Sequence, residues 1–114
     1  MTLRQKQSLF ARHVAALIAQ AYAMGYEVTL GDAYRSPEEA ARLSKAGKGI
    51  ATSLHTQRLA IDLNLFKDGQ YLSSTEAHRP LGEWWEQQHE LARWGGRFKR
   101  PDGNHYSFTH GGRA

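Results

Sequence analysis

Asp62 is a carboxylate set between Ile61 and Leu63 inside a run of alternating apolar residues, where strand interiors disfavour aspartate. Taken alone it reads as an edge or solvent-facing residue, because unpaired charges are seldom buried. Three other residues change that reading. His55 stands seven residues earlier, at the end of a glycine-bearing loop; His105 lies on the polar side of a later alternating segment; Asp102 precedes it by three at an Asp-Gly turn. Two imidazoles and one carboxylate are a common ligand set for catalytic zinc, which keeps a fourth position open for water. His55, Asp62 and His105 supply that set. Bound zinc draws the pKa of its water towards ~7, and a nearby carboxylate takes the proton. Asp102 is placed for that task, since the turn Asp102-Gly103-Asn104-His105 brings it to the site without making it a ligand. Arg35, just ahead of a helix start, is the cation available to a substrate carboxylate or a developing oxyanion.

The elements that must position these residues follow from periodicity. From Leu3 to Met24, Phe10, Val14, Leu17, Ile18 and Ala21 recur at the three-and-four spacing of one helix face, with Thr2 and Gln5 in capping-box position and Gly25 as the stop. Tyr26 to Leu30 is rich in strand formers, and Gly31-Asp32 ends it. Ser36-Pro37-Glu38-Glu39 predicts a helix from Pro37 that fades near Gly47 and opens a loop to about Ser53. Leu59 to Phe66 alternates strictly, Leu59, Ile61, Leu63 and Leu65 on one side and Ala60, Asp62, Asn64 and Phe66 on the other. Asp68-Gly69 is a tight-turn signal that returns Gln70 to Leu72 as a hairpin partner. A third helix is expected from Pro80, with Leu81, Trp84, Trp85 and Gln88 on one face, until Gly95-Gly96 ends it. Asn104 to Thr109 reads as a last strand. The sum is an α+β fold in one domain, residues 1–114, a small antiparallel sheet packed against helices.

Composition bounds the function. Fifteen Lys and Arg against eleven Asp and Glu give a net charge of +4, which favours an anionic partner: nucleic acid, an anionic membrane surface or cell-wall polymer. Arg93, Arg97, Lys99, Arg100 and Arg113 crowd the last quarter as a binding face or a solvated surface. Zero cysteines exclude a disulfide framework, a thiolate metal site and a cysteine nucleophile, so any metal is held by His, Asp or Glu. No stretch approaches the ~20 apolar residues of a membrane span. The amino terminus runs into an amphipathic segment with no continuous apolar region, so no secretory signal is expected. GxSxG and GxxxxGK[ST] are missing, which removes serine hydrolase and nucleotide hydrolase readings. His13, His78, His89 and His110 lack spaced partners and read as surface or structural residues, with His110 near enough to His105 to border the site. Asn64 shares the face of Asp62, as ligand orienter or solvent-facing residue; Trp84 and Trp85 read as core rather than as a sugar platform.

In order and local sequence these residues form a familiar string. Ser53-Leu54-His55-Thr56-Gln57-Arg58-Leu59-Ala60-Ile61-Asp62 resembles the SxHxxGxAxD signature of the M15 zinc peptidases, the family of D-Ala-D-Ala peptidases and phage L-alanyl-D-glutamate endolysins. Asp102-Gly103-Asn104-His105 is similar to the family's later acidic-x-x-His element, and Tyr34-Arg35-Ser36 to its tyrosine-arginine motif. The resemblance spans about Val28 to Phe108 and implies that His55, Asp62 and His105 ligate zinc, that Asp102 is general base and acid, that Arg35 contacts substrate and that Ser53 supports the site by hydrogen bonding. Two positions depart from the pattern. Arg58 replaces the signature glycine, so it has ordinary backbone angles or bears strain, and its cation is available to substrate. Asp102 stands where the carboxypeptidases usually carry glutamate, which, with Arg-Leu-Ala-Ile-Asp-Leu, looks more like the endolysin branch.

The expectation is therefore a zinc peptidase that cleaves the L-alanyl-D-glutamate bond of peptidoglycan stem peptides. It would act as a monomer, reaching the wall from the host cytoplasm through a separate pore-former. A D-Ala-D-Ala carboxypeptidase or dipeptidase is the enzymatic alternative. A cell-wall or nucleic-acid binding module is the alternative from another class, but such a binder has no reason to carry the His55, Asp62, Asp102 and His105 pattern, and no nucleic-acid partner is expected.

Overall fold

The first helix, α1 (Leu3–Ala23), begins with the reciprocal cap that its sequence encodes: Gln5 N–H donates to Thr2 Oγ1 (3.1 Å) and Thr2 N–H to Gln5 Oε1 (2.8 Å). Its buried face is Phe10, Leu17 and Ala21, and Gly25 at φ +90° turns the chain into β1 (Glu27–Leu30). The computed structural model describes residues 1–50 and 52–114; of the expected loop from Gly47 to Ser53, Ala51 lies outside the described residues. Helix α2 (Pro37–Lys45) has Ser36 Oγ accepting from Glu39 N–H, while the Glu39 carboxylate pairs with Arg42 instead of returning to the cap. A 3-10 turn, Leu54–Gln57, leads into β2 (Ala60–Lys67). Asp68 and Gly69, both at positive φ, form the hairpin turn to β3 (Gln70–Tyr71).

Helix α3 (Thr75–Glu86) departs from the expected boundaries. It starts earlier than Pro80 because Ser74 Oγ accepts from Ala77 N–H, and Pro80 is carried inside the helix, forfeiting one backbone bond. It also ends well before Gly95. Residues Ala92–Trp94 form a strand, β4, too short for any alternation to show, and a second 3-10 turn (Gly95–Arg97) follows before β5 (His105–Phe108). Gly82 sets how closely α3 and β4 approach: a Cβ there would lie 2.2 Å from Trp94 Cδ2.

The sheet runs β1-β2-β5-β4, antiparallel throughout, with β3 pairing β2 beyond β5. One face carries Ile61, Leu63, Leu65, Tyr106 and Phe108 into a core closed by Phe10, Leu17, Leu81 and Trp85 from α1 and α3. Each of these large side chains, fully buried, contributes roughly 1.5–3 kcal/mol of transfer free energy. Trp85 stacks on Phe108, so the helical tryptophan is core, as its spacing predicts. The other face carries Asp62 and His105, which are direct cross-strand partners. The result is an α+β fold in which Asp62 and His105 lie on the sheet face opposite the apolar core. No helix among the described residues is long and apolar enough to cross a membrane.

Candidate metal centre and its cleft

Register puts the first two site residues together. Because β2 and β5 pair Asp62 with His105, both side chains leave the same face, and His55 reaches them from the 3-10 turn. Asp62 Oδ1 lies 3.3 Å from His55 Nε2 and 3.6 Å from His105 Nδ1, and the two imidazole centroids are 5.3 Å apart. One donor atom from each residue falls within 4.8 Å of the other two. His55 and His105 are buried, and Asp62 is mostly so. Burial alone pushes the Asp62 carboxyl up, but the imidazoles of His105 and His55 outweigh it and bring it down to about 2.

The hydrogen bonds test whether these residues suit a cation. His55 Nδ1 is 3.2 Å from the Ala33 carbonyl, which can only accept, so Nδ1 carries the proton. In the neutral ring Nε2 is then a bare acceptor aimed at a carboxylate oxygen. Asp62 Oδ1 and His105 Nε2 are buried with no hydrogen-bond partner among the described residues. Acceptors facing each other in a buried place are costly unless a proton or a metal ion lies between them. The set fits a divalent metal, and the carbonyl behind His55 is the kind of outer partner that fixes a ligand's tautomer.

Backbone contacts hold this arrangement from three sides. Ser53 Oγ caps the 3-10 turn by accepting from His55 N–H (3.2 Å), and Arg35 N–H donates to the His55 carbonyl (3.1 Å). Asp62 is held at both main-chain groups, Gly31 N–H to its carbonyl (2.8 Å) and its own N–H to the Asp32 carbonyl (2.9 Å). Gly95 receives the Asp102 N–H on its carbonyl (2.8 Å), and a Cβ at Gly95 would sit 2.2 Å from the Asp102 carbonyl oxygen and 2.8 Å from His105 Cβ. Trp94 Nε1–H donates to the Gly103 carbonyl (2.7 Å), tying the turn that carries Asp102 to the sheet.

The three residues open into a cleft of about 660 Å³, which Arg35, Ser53 and Asp102 also line. Partial burial lifts the Asp102 carboxyl above its ordinary value; the Asp62 charge adds to this, against the pull of His105, His55 and Arg35. Arg35 is largely buried, pairs through Nη2 with Asp32 (2.8 Å), and keeps an unpartnered Nε.

Arg58 is placed elsewhere. It does not have ordinary backbone angles: at φ 56°, ψ 36° it ends the 3-10 turn in the left-handed conformation that suits glycine. That backbone sends its guanidinium over the Tyr34 ring, 4.0 Å from the centroid, where it lines a separate cavity of about 410 Å³ with Gln7, Phe10 and Val14. His110 does not line the cleft either; Lys6 Nζ lies 2.9 Å from its Nδ1. Asn64 donates to Thr29 Oγ1 (3.2 Å), and His78 packs in the interior with Nδ1 2.9 Å from Tyr106 Oη. Sequence reasoning missed Phe98, whose ring is 5.2 Å from that of His105, and the Ala33 carbonyl. Neither residue type carries a signal for such a role.

Buried imidazole and carboxylate donors on the floor of an open cleft, with a second carboxyl alongside, are the equipment of metal-dependent hydrolases. The family comparison is more specific: the M15 peptidase family model described as D-alanyl-D-alanine carboxypeptidase matches residues 46–108, and the chain belongs to that family. The matched segment contains His55, Asp62, Asp102 and His105 and leaves Arg35 outside. No curated protein matches the chain. Among solved structures, the fold is similar to that of the Serratia marcescens L-Ala D-Glu endopeptidase ChiX, with TM-score 0.67 and 19% identity over 82% of this chain and 75% of that one.

Proposed function

We propose that this peptidase is a zinc-dependent endolysin that hydrolyses the L-alanyl-D-glutamate bond of peptidoglycan stem peptides. The observation that carries the reading is the buried meeting of His55 Nε2, His105 Nδ1 and Asp62 Oδ1, in which the His55 Nδ1 proton is directed at the Ala33 carbonyl and Nε2 is left as a bare acceptor facing the carboxylate. The choice of bond is supported by the fold shared with a protein named as an L-Ala D-Glu endopeptidase. The aspartate at position 102 and the Arg58 to Leu63 segment support the endolysin branch.

In this reading His55, Asp62 and His105 would hold Zn²⁺, which would supply Lewis acidity and a more acidic water. Asp102 accepts the proton of the attacking water and returns it to the leaving amine; its raised pKa suits the second task. Arg35, held by Asp32 with Nε still unpartnered, binds the D-glutamate carboxylate or the developing oxyanion. Ser53 holds the His55 backbone. Arg58, stacked on Tyr34, takes no part in the cleft.

The family description favours a second reading, a D-alanyl-D-alanine carboxypeptidase with the same metal chemistry. Mass spectrometry of the peptides released from purified sacculi by zinc-loaded protein separates the two, with the His55→Ala protein alongside. Fragments beginning with D-Glu, missing from the variant digest, are the expected outcome. Free D-Ala in their place assigns the carboxypeptidase, and no product at all overturns both.

A further inference from the structure

The run of cations near the end of the sequence is divided by the fold. Arg97 is taken by Glu86 (2.8 Å) and Glu83 (3.4 Å), and Arg93 donates to the carbonyls of Glu90 and Ala92. Lys99 and Arg100 are different. Both are exposed, both line the cleft beside Asp102, and no carboxylate among the described residues lies within ion-pair distance of either. A third such cation, Lys48, comes from the segment after α2; it too is exposed, lines the same cleft and lacks a carboxylate partner among the described residues. With Arg35, the cleft is lined by four cationic side chains against the carboxylates of Asp62 and Asp102, and a bound divalent ion shifts the balance further.

A rim of uncompensated positive charge around a hydrolytic site does nothing for a neutral amide, whereas it attracts and orients a ligand that carries several anionic groups. We infer that Lys48, Lys99 and Arg100 form a specificity rim that selects peptides with free carboxylates over the same peptides with carboxamides. This rests on the peptidase reading above and adds residues to it. Arg35 is largely buried and paired with Asp32, while the three rim cations are exposed and free to meet the flanking carboxylates of a longer peptide. Exposed pairs are individually weak, so the rim acts as a set and its effect is sensitive to salt.

The test uses two peptides containing the L-Ala-D-Glu bond, one with all side-chain and terminal carboxylates free and one with them amidated. Binding is measured by calorimetry at low and high salt on the zinc-loaded Asp102→Asn protein, with and without Lys48→Gln, Lys99→Gln and Arg100→Gln together. The expected preference for the carboxylate peptide is about tenfold at low salt, shrinking at high salt, and falls to within about twofold in the triple variant. No preference in the protein with the rim intact, or one that survives the triple substitution with the melting temperature unchanged, overturns the inference. Hydrolysis of the carboxylate peptide by the Asp102 enzyme is read separately. Rim-dependent binding without hydrolysis defeats the peptidase reading and keeps the rim; hydrolysis without preference defeats the rim alone.

Discussion

At the residue scale the site turns on donors that have no protein partner. Asp62→Asn tests this directly. Zinc at about one hundred times its dissociation constant stabilises a folded protein by about 2.7 kcal/mol, on the order of 10 °C in a domain of this size. The original protein should show that rise in thermal melts. Asp62→Asn should show almost none, and should also melt lower than the original when both are metal-free at pH 8, because the neutral amide forfeits the attraction of His105 and His55 that holds the Asp62 carboxyl down to about 2. A zinc-dependent rise that survives in Asp62→Asn would remove Asp62 from the ligand set. On the proposed mechanism Asp102→Asn preserves shape and removes the proton acceptor, so kcat is expected to fall by about 10²–10⁴-fold with zinc content unchanged. Arg58 poses a different question. Relief of its left-handed backbone, about 1–2 kcal/mol, is offset in Arg58→Gly by roughly 0.5–1 kcal/mol of chain entropy and by a similar loss of the Tyr34 stack. Denaturant melts should place that variant within about 1 kcal/mol of the original, with hydrolysis retained. Loss of hydrolysis would return Arg58 to the substrate.

At the element scale the active face depends on how closely α3 approaches β4. A methyl at Gly82 would meet the Trp94 indole, so Gly82→Ala must push helix from strand. Overpacking of this kind costs about 1–3 kcal/mol or more, read as a melting temperature lower by several degrees. Trp94 also holds the Gly103 carbonyl beside Asp102, so on the proposed mechanism kcat should drop in the same variant, while zinc affinity, which the proposal assigns to residues of β2, β5 and the 3-10 turn, changes little. The short elements were the least legible. Thr2, Gln5 and Gly25 announce α1, because caps are local chemistry. Nothing local announces β4, whose three residues become a strand only by pairing with β5. Pro80 was misleading for the same reason: proline favours the first helical turn, but the Ser74 cap and the packing of Leu81 and Trp85 draw it into the interior.

At the scale of the whole molecule, two histidines away from the cleft shape the pH dependence. Burial lowers the pKa of His78, against a smaller raising contribution from the Leu72 backbone, and lowers that of His13, with the charges of His89 and Arg12 acting in the same sense. The folded protein thus binds both protons less readily than the unfolded chain, which takes them up at the ordinary value near 6.5. Stability is full above that value and is lost as the pH falls through it towards the depressed folded values. Asp62 does not contribute in this range, since its stabilising effect is lost only as the pH falls from the ordinary carboxylate value towards about 2. Urea melts of metal-free protein between pH 8 and pH 5 should show stability declining on the acid side, with a shallower decline in His78→Gln. A flat profile would show that folding does not lower the pKa of these rings.

The candidate site was legible in the sequence because it resides in residue types at short spacings. His55, Asp62, Asp102 and His105 stand out from a single chain, as does the alternation that makes β2 a strand with one apolar face. Where the cations act was decided only by the tertiary structure. Arg97 is neutralised by an acid from another element, Arg58 is turned away by a left-handed backbone, and Lys48 joins Lys99 and Arg100 from a distant segment. Backbone partners were equally hidden: the Ala33 carbonyl that orients His55 carries no side-chain signature. A long side chain's partner, or a carbonyl's direction, depends on contacts between residues far apart in the chain, which local periodicity does not encode.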